Sequence, residues 1–175
     1  MKIAIGITGA GGTFFAKKCI EHLCTKNELL VIASDDGADA FKLECGTALY
    51  DFLRRKKNVA RFNNNDICTL LNGSINPDLM IILPCSAQTA GQIALNLGNT
   101  LLPLIADKIL REGKKLILGL GETAFSTATL QNLYTLSLMG ATVTSLAVPF
   151  NNNAATQDFY DDLLNKFLQL CNLEN

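Results

Sequence analysis

The chain has little charge and almost no histidine. Charged residues make up 18% of its 175 residues, and 15 Lys and Arg side chains nearly balance 16 Asp and Glu, which leaves a net charge of −1. Such a chain lacks the basic footprint that favours nucleic acid or an anionic membrane surface. Its one histidine is His22, and its six cysteines form no Cys-x-x-Cys pair, so we expect no metal site.

Long apolar runs are also missing. The first run covers only residues 3–7 and is followed by glycines, which does not fit a signal peptide. Later runs, such as residues 79–83, have the length of a strand and are too short to cross a membrane. These features, with cysteines in no disulfide-like spacing, predict a cytoplasmic protein with reduced thiols and no membrane partner.

Apolar residues, at 49%, are abundant enough for a large core. Runs that are apolar at nearly every position are typical of strands buried on both faces of a parallel sheet. These runs are residues 3–7, 29–33, 79–83, 116–120 and 141–148. Helical spacing is found in residues 14–24, 38–43, 89–95, 101–111, 127–139 and 157–170. The alternation predicts a single α/β domain over residues 1–175, with a doubly wound parallel sheet.

Small and polar residues follow the predicted strands, and in such a sheet ligands bind beyond the carboxyl ends of the strands. "GITGAGG" follows the first strand, and its small residues would let backbone N–H groups approach an anion. Ser34 begins "SDDG" after the second strand. Ser86 and Thr89 follow the third in "PCSAQT", and Glu122 follows the fourth in "GLGETAFS". The sequence therefore predicts a binding site at this edge.

Each of these features also has a purely structural interpretation. The glycines could make a tight turn that binds nothing, and the serines could cap helices. Glu122 could be a favourable charge in the first turn of a helix or an acid–base group. Cys85 could be a nucleophile, but a small buried thiol is the favoured interpretation, because only His22 could activate it.

Taken together, the segments resemble one family. "GITGAGG", "SDDGADAFKLE", "PCSAQTAGQIA", "ADKILREGKKLILGLGET" and "MGATVTSLAVPF" follow one another as in the flavin prenyltransferases, which share a larger group of FMN-binding flavoproteins with cysteine decarboxylases. The resemblance covers residues 1 to about 150. It implies a flavodoxin-like, Rossmann-type subunit that binds FMN between the subunits of a trimer, with four trimers in a dodecamer.

The resemblance also implies a reaction and a set of site residues. Family members join a dimethylallyl group from its monophosphate to reduced FMN, and the prenylated FMN serves a partner decarboxylase. Carried over by position, the catalytic carboxylates are Glu44 and Glu122. The FMN contacts are Gly9, Ala10, Gly11, Ser34, Ser86, Ala87, Gln88 and Thr89. Arg111 and Lys166 are the cations left for the substrate phosphate.

The chain departs from the family pattern mainly around that phosphate. Gly11 replaces a serine, Gly121 and Leu104 replace arginines, and Asn151 replaces a tyrosine. Cations and hydroxyls stabilise a departing phosphate, so Gly121→Arg with Asn151→Tyr is expected to raise activity. The alternative is a divergent member that binds FMN or prenylated FMN as a carrier or redox protein. A cysteine decarboxylase or a nicotinamide dehydrogenase is less favoured, because the chain lacks a suitably placed histidine and a GxGxxG motif.

Overall fold

The computed structural model describes residues 1–146 and 157–173. In that part of the chain, six parallel strands form one sheet in the order β3-β2-β1-β4-β5-β6. The strands are β1 (Lys2–Ile7), β2 (Glu28–Ala33), β3 (Val59–Asn63), β4 (Leu79–Cys85), β5 (Lys115–Leu120) and β6 (Thr142–Ser145). The predicted parallel α/β sheet is therefore confirmed.

Helices cover both faces of the sheet. They are α1 (Thr13–Leu23), α2 (Asp35–Cys45), α3 (Leu49–Leu53), α4 (Cys68–Leu71), α5 (Ala87–Ala94), α6 (Leu101–Arg111), α7 (Thr127–Leu138) and α8 (Gln157–Cys171). Among the described residues, no helix is both long enough and apolar enough to cross a membrane.

Alternate residues of the central strands supply two separate cores. Ile3, Ile5 and Ile7 of β1 are buried in one cluster, together with apolar residues of α1 and α8. Ala4 of β1 and Met80 of β4 lie in the other, with residues of α5 and α6. Because successive side chains of a strand point to opposite faces, a strand buried on both sides must be apolar throughout. This explains why the runs of the central strands were recognisable in the sequence.

The sequence analysis missed strand β3 and the short helices α3 and α4. Strand β3 reads "VARFN" and is only half-buried or exposed, as suits an edge strand. Arg61 and Asn63 interrupt the apolar run on which the strand predictions depended. At the opposite edge, the predicted strand 141–148 is shorter, because β6 covers only Thr142–Ser145. Residues 147 and 148 lie outside the described residues.

The order of the strands reverses between β1 and β4, which are hydrogen-bonded neighbours although two strands and four helices separate them along the chain. Strand β1 also pairs with β2 on its other side, with Ile7 opposite Ala33. A crevice opens at such a switch point, because the connections leave the two strands in opposite directions. The loops after β1, β2, β4 and β5 therefore meet at one edge.

Candidate functional site

The loop between β4 and α5 is tied to the end of β1 by Thr8. The Thr8 hydroxyl donates to the carbonyl of Pro84 at 3.0 Å and accepts from the backbone N–H of Ser86 at 2.7 Å. Thr8 is buried and makes these bonds across 76 and 78 residues of chain. Sequence reasoning did not single out Thr8. A hydroxyl placed directly after a buried strand was the available signal.

Two predicted site serines are helix caps. Ser34 precedes α2 and its Oγ accepts from Gly37 N at 3.0 Å, while Ser86 precedes α5 and its Oγ accepts from Thr89 N at 3.2 Å. A serine oxygen in this position satisfies one of the free N–H groups at the start of a helix. Capping therefore fixes both hydroxyls at the sheet edge without excluding a ligand contact.

Glu122 lies at the end of β5 and also reaches the start of α5. Its Oε1 accepts from Ala87 N at 2.9 Å, and the side chain is half-buried. Its second oxygen has no hydrogen-bond partner in the described part of the chain. Glu122 is therefore not a first-turn charge of the helix that follows it, because α7 begins only at Thr127; one of its oxygens instead accepts from the first turn of α5.

Several backbone N–H groups at this edge have no partner among the described residues. They belong to Gly9 in the glycine turn, Asp36 in the first turn of α2 and Gln88 in the first turn of α5. Unpaired N–H groups at two helix starts and a glycine turn attract acceptor or anionic atoms. All three residues face the same pocket, so their donors are available to one ligand.

That pocket, the site pocket, has a volume of about 290 Å³. It brings together Ser34, Ser86, Gln88, Thr89 and Glu122, all predicted from the sequence, with Gly9 of the glycine turn. Among the described residues, its lining is Gly9, Ser34, Asp36, Asn64, Ser86, Gln88, Thr89, Gln92, Thr100 and Glu122. Asn64, Gln92 and Thr100 were missed, because amides and hydroxyls outside the strand-end motifs gave no distinctive signal. Ala10, Gly11 and Ala87 do not line the pocket.

Glu44 is held elsewhere, at the start of α1. Its Oε1 accepts from Gly12 N at 3.1 Å, and its Oε2 accepts from Phe14 N at 3.1 Å and from the Thr13 hydroxyl at 2.8 Å. It does not line the site pocket. The anion position that the sequence predicts at the start of α1 is therefore taken by a carboxylate of the chain itself.

The two predicted phosphate cations are not brought to the site pocket. Arg111 ends α6 and pairs with Asp107 at 2.8 Å, whereas Thr100, at the other end of that helix, lines the pocket. They lie eleven positions apart along the helix, which is about 16 Å. Lys166 lies exposed on α8 and pairs with Asp162 at 2.6 Å. Asn151 lies outside the described residues.

Gly121 packs against the backbone of the glycine turn. A Cβ atom at Gly121 would overlap the carbonyl oxygen of Gly11 and would lie 3.0 Å from the Cβ of Ala10. An arginine therefore cannot enter at position 121 unless the turn moves. The double variant Gly121→Arg, Asn151→Tyr, expected to raise activity, would therefore have to displace the glycine turn, because two departures from the family pattern, at positions 11 and 121, touch each other.

Cys85, at the end of β4, is a buried thiol. It is inaccessible to solvent, and burial, followed by the nearby Glu122 carboxylate, raises the pKa of Cys85 to about 12. A thiol that stays protonated is a poor nucleophile. Within the described residues, no group of three or more His, Cys, Asp or Glu side chains could hold a metal ion.

A doubly wound sheet with a polar pocket at its switch point defines a nucleotide- or flavin-binding protein. A family model described as Flavoprotein matches residues 1–171. The flavin prenyltransferase UbiX of Chlamydia pneumoniae is 32% identical, over 98% of this chain and 93% of the relative. The chain therefore belongs to the Flavoprotein family and is similar to its flavin prenyltransferases, as the sequence motifs predicted.

Solved structures agree with this placement. A dodecameric FMN-dependent UbiX-like decarboxylase from Escherichia coli O157:H7 superimposes with a TM-score of 0.87 at 28% identity, covering 100% of this chain and 96% of that one. AnUbiX (PadA1), in complex with FMN and dimethylallyl pyrophosphate, gives 0.84 at 25% identity, covering 99% and 93%.

The residues present fit a flavin. A flavin ring exposes carbonyl and nitrogen acceptors along one edge, and the pocket offers unpaired N–H groups at Gly9, Asp36 and Gln88 beside the hydroxyls of Ser34 and Ser86. Polar groups at a few fixed positions are what orient a cofactor in its pocket. The donor set therefore suits FMN.

Proposed function

We propose that this protein is a flavin prenyltransferase, which transfers a dimethylallyl group to reduced FMN and yields prenylated FMN. The convergence of unpaired N–H groups, capping hydroxyls and Glu122 on one pocket at the switch point carries this proposal. Full-length similarity to flavin prenyltransferases and to a structure that contains both FMN and a dimethylallyl phosphate compound supports it.

In this proposal, the chain holds FMN at the carboxyl edge of the sheet. Gly9, Ala10 and Gly11 of the glycine turn, Ser34, and Ser86 through Thr89 make the contacts. Reduced FMN, when bound, supplies the nucleophilic ring atoms to which the allylic carbon is joined. Ser34 and Ser86 are fixed by their capping bonds; the Ser86 hydroxyl donates to Thr89 Oγ1 at 3.0 Å, so the Ser34 and Thr89 hydroxyls are the donors offered to the flavin.

Glu122 is the proposed proton acceptor. Its Oε1 is anchored on Ala87 N, which orients the carboxylate, and its other oxygen takes the proton released as the new ring closes. Glu44 is proposed to act indirectly, by fixing the start of α1 and the glycine turn beside it. Arg111 and Lys166 could act on a phosphate only from a neighbouring subunit or after a rearrangement, since both are paired away from the pocket.

We also propose a homo-oligomer with one flavoprotein domain per chain, as in the dodecameric relative. Helix α7 packs beside α5 and exposes Leu130, Tyr134 and Leu138 at intervals of four residues. An apolar stripe of this kind is typical of a surface that another molecule covers. Light scattering at micromolar concentration should show a trimer or dodecamer, and a monomer would exclude this arrangement.

A cytoplasmic location remains part of the proposal. All six cysteines are free thiols in the structure, and several are buried, which suits a reducing compartment. A partner decarboxylase that uses the prenylated product is proposed from the family resemblance alone.

The test is incubation of the purified protein with reduced FMN and dimethylallyl monophosphate, with the pyrophosphate tried separately. Product mass and absorbance should show prenylated FMN. Glu122→Gln should retain FMN binding within about threefold and lower turnover at least tenfold, since it removes the proton acceptor and little volume. Bound FMN without product, from either donor, would instead favour the carrier or redox alternative.

A further inference from the structure

A second pocket adjoins the site pocket at the same edge of the sheet. It has a volume of about 240 Å³ and lies where β2 and β3 end, between α2 and the start of α3. Ser34 and Asn64 line both pockets. The two spaces are therefore neighbours, and one ligand or two adjacent ligands could occupy them.

The second pocket contains two cations without ion-pair partners. Lys42 projects from α2 and Arg61 from β3, and neither forms an ion pair in the described part of the chain. The Arg61 guanidinium lies 5.0 Å from the centre of the Tyr50 ring, which holds it in place and leaves its N–H groups available. Two cations that line one pocket in this way can bind phosphate oxygens through charge-assisted hydrogen bonds.

The site pocket offers no such charge. Its lining includes the carboxylates Asp36 and Glu122 but no Lys or Arg. Arg111 and Lys166 are paired with carboxylates of their own helices, and residues 147–156 contain no Lys or Arg. Both FMN and the allylic donor carry a phosphate monoester, and the described lining of the site pocket provides backbone donors but no cation for either.

We propose that the second pocket is a phosphate-monoester subsite of the flavin site, with Lys42 and Arg61 as its cations. This proposal rests on the proposed function, which brings two phosphate monoesters to this edge of the sheet. The phosphate is either that of FMN, which would reach across Ser34 from the site pocket, or that of the allylic donor.

Two carboxylates line the same pocket, so removing a negative charge there should have the opposite effect on phosphate binding from removing a positive one. Asp35 and Asp39 of α2 also face this pocket and are not paired with either cation. They repel a phosphate that Lys42 and Arg61 attract. Removing a cation must therefore weaken phosphate binding, while Asp39→Asn must strengthen it.

The experiment compares FMN with riboflavin, which lacks the phosphate, by titration of the purified full-length chain. Lys42→Gln and Arg61→Gln should each weaken FMN binding about tenfold and change riboflavin binding less than twofold. Asp39→Asn should tighten FMN binding about two- to fivefold. Lys57→Gln is the matched control. Lys57 is an exposed cation just before β3, so it lies at the amino end of that strand, whereas the second pocket lies at the carboxyl end.

If the donor supplies the phosphate, both flavins bind the variants as they bind the parent. The variants then weaken binding of dimethylallyl monophosphate at least tenfold, read from broadening of its ³¹P resonance. Equal losses for FMN and riboflavin, or no change for any of these ligands, would overturn the proposal.

Binding of inorganic phosphate distinguishes a failure of this proposal from a failure of the proposed function. Millimolar phosphate should show ³¹P broadening with the parent that the variant lacking both cations abolishes. If the parent binds phosphate in this way but no flavin, the proposed function fails and the anion subsite stands. If the parent binds flavin and the variant lacking both cations still broadens phosphate as the parent does, the subsite fails and the function stands.

Discussion

Helices α1 and α5 begin in similar places and are capped by similar groups, yet their starts differ. Each follows a central strand, and each receives a glutamate from elsewhere in the chain. At α1, Glu44 uses both oxygens, which accept from Gly12 N, Phe14 N and the Thr13 hydroxyl. At α5, Glu122 accepts one bond and leaves Gln88 N without a partner.

The burial of the two starts follows the same division. Thr13, at the start of α1, has no exposed surface, whereas Ser86 and Gln88 remain accessible at the start of α5. The Glu44 carboxylate closes the start of α1, which stabilises the helix and leaves little room for a ligand, whereas the accessible start of α5 retains a donor for one. The comparison indicates that α5, with α2 beside it, forms the binding edge, and that α1 supports it.

Gly121 lies between the two starts, and its replacement should have the largest effect. Gly121→Arg forces a Cβ into the Gly11 carbonyl before α1 and displaces Glu122, the next residue, from α5. We expect FMN binding to weaken more than about 100-fold, since overpacking commonly costs 1–3 kcal/mol and cofactor contacts are lost as well. Flavin fluorescence titration measures this change.

Ala124→Arg is the matched control, because it adds the same side chain to an exposed residue of the same loop. It should bind FMN as the parent does. Equal binding by Gly121→Arg and the parent would mean that the glycine turn yields without consequence for the site, and the contact between the two loops would then be unimportant.

Glu44→Ala should have an intermediate effect, and on stability more than on chemistry. It leaves Gly12 N and Phe14 N without their acceptor, and leaves the buried Thr13 hydroxyl with only the Ala40 carbonyl at 3.3 Å. A lost cap with charge-assisted bonds costs about 2–3 kcal/mol in the free energy of unfolding. Urea unfolding should show this loss, compared with Glu28→Ala as a control at an exposed ion pair. A loss below about 0.5 kcal/mol would contradict the supporting role of Glu44.

The sheet and most of the pocket could be predicted from the sequence. Strands buried on both faces must be apolar, so β1, β2, β4 and β5 were recognisable, and the polar residues after them marked Ser34, Ser86 and Glu122. The edge strand β3 could not be recognised in this way, because Arg61 and Asn63 face solvent or a pocket. With β3 unassigned, the second pocket beside it could not be foreseen.

Positions carried over by resemblance do not state three-dimensional direction, and the roles of Arg111 and Lys166 stay predictions. Arg111 is the last residue of α6, whereas Thr100, at the start of that helix, lines the site pocket. Sequence spacing places a residue on a helix without stating which end of the helix approaches the site. Likewise, no pattern in the sequence indicates that Gly121 touches Gly11, since 110 residues separate them.

The smallest effect is expected at Cys85. The reactivity of its thiol tests how far solvent reaches beneath the accessible start of α5. The thiol lies one residue before the accessible Ser86 but is itself fully buried. At pH 8, iodoacetamide should label the exposed Cys68 and spare Cys85, whose pKa is raised from 9.0 to about 12, first by burial and then by Glu122. Labelling of Cys85 as fast as Cys68 would show that the opening reaches beneath the start of α5.

The same thiol predicts how stability depends on pH. Above about pH 9 the unfolded thiol ionises while the folded one keeps its proton until about pH 12, so rising pH favours the unfolded state. The contribution of Cys85 is complete below pH 9 and falls by about 1.4 kcal/mol per pH unit above it. Cys85→Ala should remove this part of the slope, measured as the difference from the parent in urea unfolding between pH 9 and 11. Identical slopes in the two proteins would mean that Cys85 ionises freely in the folded state, and that strand β4 is not sealed from the pocket above it.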